Sequence, residues 1–138
     1  SGAVDHLVLE IDVMKTAEKL LLTSLIPVAL AACSGEPTVS FSQDVKPIFD
    51  QHCIECHQPD SAGTLASGFD MTSYEGLMKG TTFGPMIIAG DPEGSNVLVL
   101  MEGRADPSIS MPHGQQDPVA KTDIQTIRLW IEQGANDN

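Results

Sequence analysis

Cations are scarce in this chain. Seven Lys and Arg stand against nineteen Asp and Glu among 138 residues, a formal net charge of −12. Phosphate binding needs a basic patch, so nucleic acid is argued against, as is a peripheral grip on anionic lipid. A protein partner with a basic or neutral face suits the charge better. Aromatic rings are also few, at 4% with one Trp and one Tyr, so large side chains alone fill the core thinly. No repeat or low-complexity tract appears, the carboxylates are too dispersed to suggest a hydrolase, and no Ser/His/Asp signature is visible. At 41% hydrophobic before Gly is counted, the composition remains that of a folded protein of one small domain plus something extra.

Long apolar runs are missing as well. The longest uncharged one, LLLTSLIPVALAA at residues 20–32, has thirteen residues and is interrupted by Pro27, short of the roughly 20 that span a bilayer. Lys15 and Lys19 precede it and small residues close it, the pattern of a secretory signal. The run ends on LAAC, Leu30 to Cys33, which resembles a bacterial lipoprotein signal. That resemblance implies lipidation of Cys33, the periplasmic side of a bacterial membrane, and, with Ser34 next, the outer membrane. The alternative is a buried core helix or an uncleaved anchor. Met14 begins a natural-looking signal, and residues 1–13 are set aside from the functional reading. Residues 33–138 keep five basic and fifteen acidic side chains, a net −10, so the acidity belongs to the exported part.

Residues 1–32 are thus read as extension and signal, 33–40 as a lipid-anchored polar tether, and 41–135 as the domain. Val45, Ile48, Phe49 and His52 share one helical face, with Ser42 as a candidate cap, Asp44 favourable in the first turn and Pro47 tolerable near the start. A short helix is expected over 74–79, stopped by Gly80. GSNVLVLMEG suits another, with Val97, Leu98 and Met101 on one face, although a strand over 96–101 fits too. RADPSISMPHGQQDPV, residues 104–119, reads as a long loop. The clearest helix carries Ile124, Ile127, Trp130 and Ile131 and stops at Gly134, with Arg128 on its flank facing solvent or a carboxylate.

Cysteine is rare too, three in all, and two of them stand in CIECH, residues 53–57. A redox dithiol is one use of C-x-x-C, but the βαβ pattern that accompanies it is not visible. Zinc is another, yet Cys56 and His57 are adjacent and point poorly at one tetrahedral centre, and no second ligand pair is seen. The third use is covalent attachment of c-type haem, for which C-x-x-C-H is the signature. Cys53 and Cys56 would then bond the two vinyl groups and His57 would ligate the iron. Such attachment needs export, which the signal supplies independently.

A second axial ligand is then required, and Met is common in that role. The candidates are Met71, Met78, Met86, Met101, Met111 and His113, with His52 upstream. Met78 and Met101 lie in apolar helical patterns and read as core filler. Met111 lies in a loop before Pro112, 54 residues after His57, and is the expected ligand, with His113 as the alternative. His52, His113 and His6 otherwise read as ordinary surface or helix-face histidines.

With FSQDVKPIFDQHCIECH, GPMIIAGDPEGSNVLVLMEG, SMPHG and IQTIRLWIEQGA in this order, residues 41–135 resemble the planctomycete-type cytochrome c domain, a small class-I-like cytochrome c. The resemblance implies an all-α fold of about three to five helices around one covalently attached haem, the first and last helices crossing, His57 proximal and Met111 distal. Here Pro112 is followed by His113 rather than by a second proline, and Ala120 stands where a Ser or Thr often caps the last helix. The expected function is single-electron transfer, with no residue acting as acid, base or nucleophile. Ile48, Phe49, Ile127 and Trp130 are expected to shield the iron from water. A haem-based sensor or gas-binding module, the haem subunit of a larger oxidoreductase, and a structural zinc module are the competing readings.

Overall fold

A computed structural model describes residues 37–114 and 116–138. His6, the apolar run and Cys33, with the readings placed on them, lie outside the described residues. Within those residues the fold is all-α: five α-helices and no strand. The helices are α1 (Lys46–His52), α2 (Ala62–Ser67), α3 (Tyr74–Lys79), α4 (Asn96–Met101) and α5 (Lys121–Glu132). A π-turn at Phe41–Val45 leads into α1, and the 104–119 loop contains a 3-10 turn at Pro107–Ile109.

The first helical segment starts two residues earlier than its sequence suggests. Ser40, not Ser42, is the cap: its hydroxyl accepts from the Gln43 N–H, and its own N–H donates to the Asp44 carboxylate at 2.8 Å. This reciprocal pair satisfies donors that a helix start leaves orphaned. Ser42 instead donates its hydroxyl to the Asn138 carbonyl at 2.9 Å. The π-turn accommodates the early start, with the Val45 N–H reaching back to the Ser40 carbonyl at 3.2 Å. Pro47 then falls in the first turn of α1, where its missing N–H costs little.

The apolar stripe of α5 is buried as its period requires: Ile127, Trp130 and Ile131 are fully enclosed. No side chain caps this helix at Ala120, and Gly134, at φ +103°, ends it. Against it lie the π-turn, through Phe41 and Val45, and α4, and Phe49 of α1 joins the same core. The few aromatic rings are concentrated here. Phe41 sits 5.5 Å from Trp130 and edge-on to Tyr74 at 5.3 Å, and such pairs add about 0.5–1.5 kcal/mol each beyond area burial. Their polar tips are matched: Tyr74 donates to the Ala135 carbonyl at 2.8 Å and Trp130 to that of Asn136 at 2.9 Å. The described residues before the π-turn are fastened to the same end, with the Val39 N–H on the Gln133 side-chain oxygen at 2.8 Å.

The 96–101 segment is a helix, burying Val97 and Leu98. Buried Ser95 before it accepts from the Ile88 N–H at 2.9 Å and donates to the Asp91 carbonyl at 2.8 Å. Arg128 on α5 faces carboxylates, not open solvent. It pairs with Glu93 and with Glu102 at the end of α4, while Arg104 pairs with Glu102 at 2.6 Å and Glu93 at 3.4 Å. The result is a closed ring of two cations and two anions joining α4, α5 and the 91–94 turn.

Candidate cofactor site

The CIECH segment follows directly from the end of α1. The Cys53 N–H still bonds the Phe49 carbonyl at 2.9 Å, and the N–H groups of Cys56 and His57 fold back on the Cys53 carbonyl at 3.1 and 3.0 Å. One tight turn therefore carries both thiols and the imidazole. Helix α2, which the sequence did not announce, straps this turn from outside. The Thr64 N–H and the Ser61 hydroxyl both donate to the Cys56 carbonyl. Gly63 allows the close approach: a Cβ there would stand 2.4 Å from the Cys56 carbonyl oxygen and 2.9 Å from His57 Cε1.

His57 is held by its Nδ1, 3.2 Å from the Phe69 carbonyl oxygen, which also accepts from the Thr64 hydroxyl at 2.9 Å. With Nδ1 as the donor, the Nε2 lone pair is left for a ligand, the orientation that metal-binding histidines are given by their outer partners. Burial lowers the basicity of His57; the Phe69 carbonyl opposes this and the charge of His113 adds to it, for a net lowering. The neutral form needed for ligation is thereby favoured. Phe69 packs edge-on against the imidazole at 5.5 Å between centroids.

Cys53, Cys56 and His57 line a cavity of about 880 Å³, and Met111, Pro112 and His113 line it too. That volume is near the upper end for small-molecule and cofactor sites, about 300–1,000 Å³. No Asp, Glu, Lys or Arg contributes to the lining. Apolar groups dominate the rest of the wall, among them buried Phe69, Met71 and Val97. Burial first, and then Cys56, push the Cys53 thiol up to about 12. A redox dithiol requires the reverse, a thiol whose thiolate is stabilised. Nor do three His, Cys, Asp or Glu side chains converge as metal ligands anywhere among the described residues, which leaves the zinc module without support. A large, flat, apolar group bonded through sulfur and one imidazole nitrogen fits this chemistry.

Several expectations change at this site. Ile48, Phe49, Ile127 and Trp130 do not line the cavity; they form the helix–helix core behind it. The wall comes instead from the 81–88 segment, from α4 and from the 104–119 loop. Met101, read as filler, packs on the core and also lines the cavity, whereas Met78 only packs on the core. Met71 and Met86 line it as well. His52 and His113 are not plain surface histidines: both line the cavity, His52 half-buried and 4.0 Å from the Asp123 carboxylate. Sequence reasoning missed Gly63, Thr64 and Phe69. The Phe69 contribution runs through its backbone carbonyl, which no side-chain pattern encodes. Gly63 carried a faint signal, a glycine inside the helix-length stretch between Ser61 and Gly68.

Residues 53–114 match the family model described as planctomycete cytochrome C, a span that includes both thiols, His57, α2 to α4 and Met111. No curated protein and no solved structure matches the chain.

Proposed function

We propose that the cytochrome c-type domain of this chain is a single-electron carrier, with one haem bound through thioethers at Cys53 and Cys56 and ligated by His57 and Met111. The observation that carries the reading is the anchoring of His57 Nδ1 on the Phe69 carbonyl, in the wall of a cavity without Asp, Glu, Lys or Arg that is shared with both thiols and Met111. When bound, the haem supplies an iron centre that gains and loses one electron without a change of ligands.

The chain's own residues do the rest. Phe69 and Thr64 fix the imidazole so that Nε2 faces its ligand position. Cys53 and Cys56 fix the group covalently and prevent its loss. Met111 presents a thioether, a soft ligand that favours the reduced state and raises the potential relative to a second His. The apolar wall keeps water out and lowers the dielectric around the charge change. No residue is asked to move a proton.

Export and anchoring complete the proposal. Lys15, Lys19, the apolar run and Cys33 support a lipoprotein on the periplasmic side of a bacterial membrane, with the outer membrane favoured by Ser34. Its partners are redox proteins with a basic or neutral docking face. The strongly acidic composition and a cavity lining without Asp, Glu, Lys or Arg, with exposed Phe83, Ile88 and Ile109, support that choice.

Intact mass and a pyridine haemochrome spectrum of the exported protein test the proposal together. One covalent haem with both vinyl groups saturated is expected, on a chain that begins at a lipidated Cys33. Absence of covalent haem would sink the electron-carrier reading.

A further inference from the structure

We infer that Arg128 is a positioning residue for Met111, acting through Glu102 and helix α4. The inference rests on Met111 as the distal ligand and adds a residue that touches neither the cavity nor the group in it.

Helix α4 is the platform from which the Met111 loop hangs. The Arg104 N–H donates to the Val99 carbonyl at 2.9 Å, and the Met111 N–H to the Leu100 carbonyl at 3.2 Å. Both ends of the segment 104–111 are therefore fastened to the last turn of α4. Val99, Leu100 and Met101 of that turn, and Ala105 and Ile109 of the segment, line the cavity. A tilt of α4 moves the wall and the loop together.

What resists such a tilt at this end is the four-charge ring. Glu102 follows α4 directly and receives Arg128 from α5 and Arg104 from the loop root. Glu93 closes the ring on the other side. Arg128 and Glu102 are only 23% and 20% exposed, so solvent screens their pair less than it screens the outer corner at Glu93, 70% exposed. The planar guanidinium spans two carboxylates at once, which an ammonium cannot copy in one geometry. The contacts through Glu93 are largely exposed, and pairs of that kind add little to global stability. The arrangement therefore matters more for where the end of α4 sits than for whether the domain folds.

The test uses the haem-loaded protein and three readouts: imidazole affinity of the ferric form, reduction potential, and thermal midpoint. In Arg128→Gln a looser Met111 competes less well with added ligand. Imidazole affinity is expected to rise about tenfold, equivalent to about 1.4 kcal/mol, and the potential to fall, while the thermal midpoint moves little. Arg128→Lys should recover part of both shifts. In a Met111→Ala background, Arg128→Gln should change imidazole affinity no further, because the residue it positions is gone. Affinity within twofold of wild type in Arg128→Gln would overturn the inference. So would an equal rise in the Met111→Ala background, which would mark a general loosening. If Arg128→Gln does not fold, Arg104→Gln and Glu93→Gln, at the more exposed corners, are read by the same criteria. A Met111→Ala protein with wild-type spectrum and potential would instead remove the distal-ligand reading, and this inference with it.

Discussion

Replacing Gly63 by Ala sets two opposing effects against each other. Gly63 lies inside α2, where glycine costs about 0.5–1 kcal/mol relative to alanine through the freedom it loses on folding. On propensity alone, Gly63→Ala should stabilise the protein. The surroundings reverse the sign. The new Cβ would stand 2.4 Å from the Cys56 carbonyl oxygen, 2.9 Å from His57 Cε1 and 3.1 Å from His57 Nδ1. The first neighbour is backbone, and the other two belong to a ring fastened to the Phe69 carbonyl at 3.2 Å. Neither yields as a flexible side-chain end would. Overpacking costs about 1–3 kcal/mol, and losing the imidazole hydrogen bond adds about 0.5–1.5 kcal/mol. Subtracting the propensity gain leaves a net loss of about 0.5–4 kcal/mol, by those same ranges. For a domain of this size each kcal/mol lowers the thermal midpoint by about 4–8 °C. Thermal melts of the haem-loaded protein, with the absorption spectrum recorded alongside, measure both consequences: a lower midpoint, and a disturbed ligand field as His57 turns. A variant as stable as wild type with an unchanged spectrum would refute the close-approach argument and hand the site back to helix propensity.

Met111→Ala should lower the potential and convert the iron to high spin or to a substitute ligand such as His113; an unchanged ligand-field spectrum would show that another side chain ligates. Rapid stoichiometric carbon monoxide binding to the reduced wild-type protein at neutral pH would move the reading from carrier to sensor. Cys33→Ser should release the domain into the soluble exported fraction, and persistent membrane association would point to an uncleaved anchor. Acid should weaken the four-charge ring through Glu102. Burial opposes its charge, but the hydrogen bonds from Arg128 and Arg104 outweigh burial and hold its carboxyl below the ordinary 4.5. A carboxylate depressed in the folded state binds fewer protons there than when unfolded. Its stabilisation is complete above pH 4.5 and is lost as pH falls through the lower folded value. Melts between pH 7 and 3 should show a shallower decline for Glu102→Gln than for wild type.

The parts of this molecule legible in its sequence are those that periodicity or spacing encodes. The α5 stripe of Ile124, Ile127, Trp130 and Ile131, the Tyr74–Lys79 helix ending at Gly80, and CIECH itself each place side chains by local rules, and α3 and the buried stripe follow them. The cap at Ser40 is not legible because a π-turn shifts the helix start, and a π-turn has no residue signature. Helix α2 stayed hidden because AGTLAS buries no residue, so no apolar period marks it. The cavity wall is illegible for another reason. Helical periodicity says which residues turn inward, but not whether inward means the helix–helix core or the cavity, and Phe49 and Trp130 face the former.

The hydrogen bonds that Ser40, Phe41 and Ser42 make with Asn138 bridge 96 to 98 positions of sequence. They close the domain into a ring of chain, with the whole cavity inside it. Loop closure depends only weakly on the length enclosed, each doubling costing about 0.6 kcal/mol. Residues added to or removed from the 104–119 loop or the 81–94 segment therefore leave that clasp nearly untouched. The cavity rim can therefore change length while the clasp between the two ends of the domain stays in place.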